Sequence, residues 1–200
     1  MNGRHRYAGD AVAVIGNGPV GQTAALLFAK WGIPVVVLDG RRERDPVGSK
    51  AIVQQRDVLD VWAAVGAGDQ IVEEGLTWTR ARTFYKEHEL FCVSFKDPGR
   101  SPYPPFVNIS QSRTEQILDE RIAESPLIDV RWGHDVVALA QHDDGVTLTC
   151  TTRGDAVTVR APYVVACGGA RSDPLRAMLG LTFPGRTFED LFLILSLIHI

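Results

Sequence analysis

Residues 11–39 read in order as a strand, a glycine turn, a helix, a second strand and an acid. Ala11-Val12-Ala13-Val14-Ile15 is an unbroken apolar run, as a strand covered on both faces requires. Gly16-Asn17-Gly18-Pro19-Val20-Gly21 follows directly, and Ala24-Ala25-Leu26-Leu27-Phe28 predicts a buried helix from about Pro19 to Lys30. Val35-Val36-Val37-Leu38 is a second buried strand, ending in Asp39. Two strands joined through a helix are expected to lie parallel in one sheet. The G-x-G-x-x-G spacing adds a ligand to that geometry, since it is the pattern of a dinucleotide-binding turn. Gly16 permits the tight turn, Gly18 lets the backbone approach a pyrophosphate, and Gly21 lets the helix lie close on the sheet. The helix then aims free N–H groups and a partial positive charge at the phosphates. Pro19 fits its first turn, where a missing N–H removes no intrahelical bond, and Val20 follows it there. Asp39 can accept hydrogen bonds from ribose hydroxyls, and its charge argues against a 2′-phosphate at this site. The motif by itself leaves FAD and NAD both open.

The composition is that of an ordinary globular chain, 45 % hydrophobic and 22 % charged. A net charge of −3 offers no basic surface for nucleic acid. Arg41, Arg42 and Arg44 cluster after Asp39, interleaved with Glu43 and Asp45; a solvated loop and a place near the adenine half of the cofactor are equally good readings. Cys92, Cys150 and Cys167 are widely spaced and lack metal-ligand patterns, so reduced thiols in a cytoplasmic protein and no metal site are expected. The N-terminal residues carry no apolar signal core, and no run is long enough to span a membrane.

Farther along, the periodicity predicts a helix over about Ala51–Val65, with Val53, Val58, Val61, Trp62 and Val65 near one face and Gly66 and Gly68 ending it. Strands are expected over Thr77–Tyr85, Leu90–Phe95 and Phe106–Ile109, with a proline-rich loop before the last. A helix begins near Ser110-Gln111-Ser112, where Ser112 and Glu115 have capping-box spacing. Residues 128–160 alternate as a β-meander: Ile128–Trp132, Asp135–Gln141, Val146–Thr151 and Ala156–Arg160, with hairpin signals at Asp143-Asp144-Gly145 and Arg153-Gly154-Asp155. Tyr163–Cys167 is a further apolar strand ending in Gly168-Gly169, and Ser172-Asp173-Pro174 starts a helix.

A plain NAD dehydrogenase would continue with alternating strands and helices. The meander and strand-rich insert placed here resemble instead the FAD-dependent aromatic hydroxylases, or single-component flavoprotein monooxygenases, especially their 3-(3-hydroxyphenyl)propionate hydroxylase-like members. Three segments carry the resemblance: the glycine turn with Asp39, Asn108-Ile109-Ser110-Gln111 with Thr114–Leu118, and Tyr163–Ser172 with Arg176 and Leu179-Gly180-Leu181. It implies an α/β fold, with a Rossmann-like FAD-binding domain, a β-meander and part of a strand-rich substrate domain, truncated. It implies FAD contacts from Gly16, Gly18, Pro19, Val20, Gly21 and Asp39, from Lys50 in a loop where arginine is frequent, from Gln111 beside the ribityl chain, and from Gly168. The last is a departure, because the family usually has aspartate there; FAD affinity or reduction by the nicotinamide is expected to be weaker for it. The implied reaction uses NADH or NADPH to reduce the flavin, O₂ to form a C4a-hydroperoxide, and a small phenolic substrate as acceptor. The cofactor carries the difficult chemistry, and no catalytic side chain is assigned. His134 and His142 read as structural or surface residues. Trp78, Phe84, Tyr85 and Phe95 fit a pocket and a core equally well.

The resemblance divides the chain into 1–75 (FAD-binding part), 76–109 (substrate-domain insert), 110–182 (FAD-binding continuation) and 183–194 (start of a second substrate segment). Residues 195–200, LSLIHI, match the translation of a transposon-type sequencing adapter. The natural sequence is therefore expected to continue differently after about Ile194, and the chain to be the N-terminal fragment of a longer enzyme, inactive by itself. The alternatives are a non-catalytic or degenerate FAD-binding protein and another flavin oxidoreductase of the same fold.

Overall fold

The computed structural model describes residues 10–44, 51–95, 99, 101–186 and 188–191. Along the chain run β1 (Val12–Ile15), α1 (Pro19–Lys30), β2 (Val35–Asp39), β3 (Val53–Gln55), α2 (Arg56–Ala63) and α3 (Gly68–Glu74). Next come β4 (Leu76–Trp78), β5 (Arg80–Tyr85), β6 (His88–Ser94), β7 (Phe106–Asn108), α4 (Gln111–Glu124) and β8 (Ile128–Trp132). The last are β9 (Asp135–His142), β10 (Gly145–Thr152), β11 (Asp155–Ala161), β12 (Val164–Ala166) and α5 (Asp173–Met178). The described residues form two compact units: those within 1–46 and 118–193, and those within 47–117.

The first unit is built on a parallel four-stranded sheet in the order β12-β1-β2-β8. Its two faces are covered differently, as strand alternation dictates. Val14, Val35 and Val37 pack with Ala25 of α1, joined by Ile128 and Val130 of β8. Ala13, Val36 and Leu38 face the other way, onto Leu148, Cys150, Val159 and Ala161 of the three-stranded antiparallel sheet β11-β10-β9. Every residue of β2 is buried, because the strand has a helix on one side and a second sheet on the other. The β10–β11 hairpin turns through Arg153 and Gly154 at φ +51° and +96°, the left-handed pair that a two-residue turn needs.

The second unit holds the antiparallel sheet β3-β7-β4, the hairpin β5-β6, and helices α2 and α3. Trp78 stacks on Phe106 at 4.5 Å between ring centroids, and Phe95 meets both rings edge-on. The β5-β6 hairpin is exposed along both strands.

Five expectations are corrected. Residues 53–55 are a strand, not the start of a helix, because they pair with β7 from Val53↔Asn108 to Gln55↔Phe106. The helix that follows is shorter and buries Leu59 and Trp62, while Val53, Val58 and Val61 are exposed; a second helix, α3, starts at Gly68 where an end was expected. The stretch 77–85 is two strands, since β4 pairs with β7 and β5 with β6. Ile128–Trp132 is not in the meander; it pairs parallel with β2. The hydroxyl that caps α4 is Ser110, whose Oγ accepts from the Arg113 N–H at 3.2 Å, whereas Ser112 lies inside the first turn. Lys50 and residues 192–200 lie outside the described residues.

Candidate nucleotide site

Parallel strands present their C-terminal ends together, and here the chain reverses its order across the sheet between β1 and β12. From β1 it proceeds through β2 to β8, then returns to β12 on the opposite side. Ligands bind at such a switch point, outside the carboxyl ends of the strands. Gly16 leaves β1 there at φ +102°, and a Cβ at this position would stand 2.5 Å from the Cys167 carbonyl oxygen at the end of β12. Gly21 is held as tightly: a Cβ would be 1.8 Å from the Gly16 carbonyl oxygen. These two glycines bring the turn, the helix and β12 together. Gly18 differs, since a Cβ there would meet nothing within 4 Å. Open space lies above it.

Gly18 is the N-cap of α1 and provides no side-chain cap; Pro19 opens the helix, and the first turn contains no acid. The helix therefore keeps unused N–H groups and its positive end directed outward. Val20, in that turn, is 70 % exposed. Asn17 is fully buried, and its side-chain oxygen and nitrogen have no hydrogen-bond partner.

Asp39 ends β2 beside the turn. Its Oδ2 accepts from the Asn17 N–H at 2.7 Å, and its Oδ1 from the Arg41 N–H at 2.9 Å. The Arg41 guanidinium grips both oxygens, Nε to Oδ1 at 3.0 Å and Nη2 to Oδ2 at 2.9 Å. Burial pushes this carboxyl up, but the bonds from Arg41 and the two backbone amides outweigh it and hold it below the usual carboxylate value. Arg44 is fixed on Asp119, which also accepts from Gln22 of α1 at 2.7 Å. Both guanidiniums reach the Asn17 carbonyl oxygen, and both lie about 5.5 Å from the Trp132 ring centroid at the end of β8. Of the two readings of the arginine cluster, the structure thus gives Arg41 and Arg44 hydrogen-bond partners beside the glycine turn.

Gly168 follows β12 with φ −68°, and a Cβ there would come within 3.2 Å of the Ser172 Cβ. Gln111 heads α4 in the second unit, donating to Glu115 at 2.8 Å and accepting from the Ala51 N–H at 3.2 Å. The structure brings Gly16, Gly18, Pro19, Val20, Gly21, Asp39 and Gly168 to one end of one sheet; Gln111 belongs to the other unit. Sequence reading missed Asn17, Asp119 and Trp132. No spacing rule links them, although an acid on a helix and a tryptophan closing a strand are both candidates for partners of an arginine cluster.

His134 hydrogen-bonds the Trp132 carbonyl and His142 the Thr147 hydroxyl. Burial pushes the Cys150 and Cys167 thiols up, away from thiolate chemistry. Among the described residues, no group of three or more His, Cys, Asp or Glu is placed to hold a metal, and no helix is long and apolar enough to cross a membrane. A cleft of about 560 Å³ between the β9–β10 hairpin, β12 and α5 contains none of the site residues.

Residues 10–196 match the model of a family described as the FAD binding domain. The chain belongs to that family. Relatives of this FAD-binding chain include para-nitrophenol 4-monooxygenase of Pseudomonas sp. (strain WBC-3), 28 % identical over 90 % of this chain and 45 % of that protein. A 3-(3-hydroxy-phenyl)propionate/3-hydroxycinnamic acid hydroxylase of Mycobacterium sp. (strain JLS) is 26 % identical over 93 % of this chain and 32 % of its own length. A probable NADH-specific resorcinol 4-hydroxylase of Rhodococcus jostii (strain RHA1) is 30 % identical over 84 % and 32 %. The crystal structure of p-nitrophenol 4-monooxygenase from Pseudomonas putida DLL-E4 superposes with a TM-score of 0.83 at 26 % identity, covering 90 % of this chain and 46 % of that one. The chain thus spans from about a third to just under half of these proteins.

The residues present fit the adenosine diphosphate half of FAD. The uncapped α1 terminus faces open space above Gly18 and suits a pyrophosphate. The partnerless Asn17 amide marks a place where a polar ligand can satisfy buried groups. Asp39, a carboxylate at the end of β2 beside the turn, is of the chemistry that accepts from ribose hydroxyls.

Proposed function

We propose that this chain supplies the FAD-holding part of a monooxygenase that hydroxylates a small phenolic substrate, with NADH or NADPH as electron donor and O₂ as oxidant. The observation that carries the reading is the uncapped, acid-free N-terminus of α1, open above Gly18 at the switch point of the sheet and flanked by Asp39. FAD, when bound, supplies the redox chemistry. The chain's part is to hold it: α1 and the Gly16–Gly21 turn take the pyrophosphate, Asp39 takes the ribose, and Gly168 lies beside the turn. Lys50 and Gln111 are assigned to the flavin side by their resemblance to family positions. The exposed strands within residues 76–109 are assigned to the substrate side, residues 1–75 and 110–182 to the FAD side, and 183–194 to the start of a second substrate segment. The names of the relatives, which act on nitrophenol, hydroxyphenylpropionate and resorcinol, support the phenolic substrate class. The three free thiols suit a reducing cytoplasm.

The test is direct. The purified protein, titrated with FAD, is expected to quench flavin fluorescence with a definite stoichiometry, and a protein that leaves the fluorescence unchanged overturns the reading. Phenol-stimulated NAD(P)H oxidation by the complete protein tests the activity. A second reading, a non-catalytic FAD-binding protein, is favoured by Gly168 at a position where the family usually has an acid. Bound flavin without phenol-stimulated NAD(P)H oxidation is its signature, shared with another flavin oxidoreductase of the same fold.

A further inference from the structure

Asp39, the acceptor that a ribose needs, has all its places taken. A carboxylate offers about four lone-pair sites. Asn17 N–H and Arg41 Nη2 occupy Oδ2, while Arg41 N–H and Arg41 Nε occupy Oδ1. Two of these donors are backbone amides fixed by the glycine turn and by the chain leaving β2. The other two are neighbouring N–H groups of one guanidinium, one to each oxygen. A ribose presents an equivalent pair, since its vicinal 2′- and 3′-hydroxyls are two adjacent donors able to meet two carboxylate oxygens.

The two arginines of the cluster differ in how firmly they are held. Arg44 is 12 % exposed and meets both oxygens of Asp119 as well as the Asn17 carbonyl. Arg41 is 42 % exposed, so water screens its pair with Asp39. It also lies 5.5 Å from the Trp132 ring centroid, a face that can keep a guanidinium after its carboxylate is lost.

We propose that Arg41 is a displaceable latch on the ribose subsite. Its guanidinium holds the two lone pairs of Asp39 that the backbone leaves, and a ligand takes them only by offering a vicinal diol in its place. Arg44 stays fixed on Asp119, and Arg41 moves while remaining against Trp132. The device makes binding selective for the intact ribose and prevents Asp39 from standing unpaired before the nucleotide arrives. It rests on the FAD reading above and assigns to Arg41 a role in positioning Asp39 and in selecting the ligand.

The experiment uses adenosine, which carries the diol and no phosphate, with 2′,3′-dideoxyadenosine as control, titrated by NMR or calorimetry into the full chain. Arg41→Met removes the competing donors and is expected to tighten adenosine binding by roughly fivefold, the scale of a half-exposed ion pair. The gain is expected to vanish with the dideoxy ligand, a dependence that a merely structural arginine would not produce. Arg41→Lys keeps the charge without the two-pronged grip and is expected to show a smaller gain; it carries the same test if Arg41→Met does not fold. Adenosine affinity equal to or below the parent's in a folded variant overturns the latch, as does an equal gain with the dideoxy ligand, or no adenosine binding by either protein. FAD titration of the parent is read separately. Failure to bind FAD, together with a diol-dependent gain for adenosine, overturns the FAD reading and leaves the latch.

Discussion

At Gly16 the backbone has φ +102°, and the Cys167 carbonyl stands 2.5 Å from where a side chain would begin. Both facts exclude other residues: the conformation is strained for any L side chain, and the neighbour is backbone that cannot yield cheaply. Gly16→Ala is therefore expected to lose FAD binding and to lower the melting temperature; an unchanged FAD titration would count against this account of the turn. Gly168 is more permissive. It has helical φ, and a Cβ would meet only the Ser172 side chain and Cα, at 3.2 and 3.5 Å. Gly168→Asp is accordingly expected to fold with a small shift of Ser172 and to tighten FAD binding, as read by flavin titration. Glu74 gives a pH prediction. Hydrogen bonds from Arg113 bring its carboxyl from an ordinary 4.5 down to about 2. A depressed pKa means that the unfolded chain takes up the proton first. The contribution to stability is then complete above pH 4.5 and disappears as pH falls through about 2. Glu74→Gln should flatten that part of the acid limb in urea midpoints measured against pH, and an unaltered slope would refute it.

Among the elements, β1, α1 and β2 were legible in the sequence almost to the residue. Their signal is local: two apolar runs, a glycine turn and a helix of fixed period. β3 and β8 were misassigned because their identity depends on partners distant in the chain. Val53-Gln54-Gln55 is a strand only beside Phe106–Asn108, and Ile128–Trp132 alternates no differently from a meander strand until β2 pairs with it. Strand propensity reports a half-buried surface, not which strand lies alongside. Packing makes its own prediction. Leu148 is fully buried in the cluster joining β10 to the back of β1 and β2. Leu148→Ala should cost about 2–5 kcal/mol by denaturant unfolding.

For the whole molecule, the family match extends over residues 10–196, while the relatives are two to three times longer than what they share with this chain. The β5-β6 hairpin leaves Phe84, Tyr85, Leu90, Phe91 and Val93 exposed. Apolar surface of this kind favours association. Phe91→Lys is expected to reduce self-association in light scattering at equal concentration, and no change would show that the hairpin does not drive it. The sequence by itself determined the nucleotide unit: its strand–turn–helix–strand order, the positions where only glycine fits, and the acid at the end of β2. These follow from backbone sterics and hydrophobic period, which act over a few residues and leave a mark at each. Only the tertiary structure decided which strands share a sheet and that Arg41 fills the carboxylate of Asp39. It also brought Arg44 onto Asp119, the Asn17 carbonyl and the Trp132 ring. Apart from the Arg41–Asp39 pair, two residues apart, those contacts join residues far apart in the chain, and no local pattern encodes them, because their energy arises only once the sheet has set the distances.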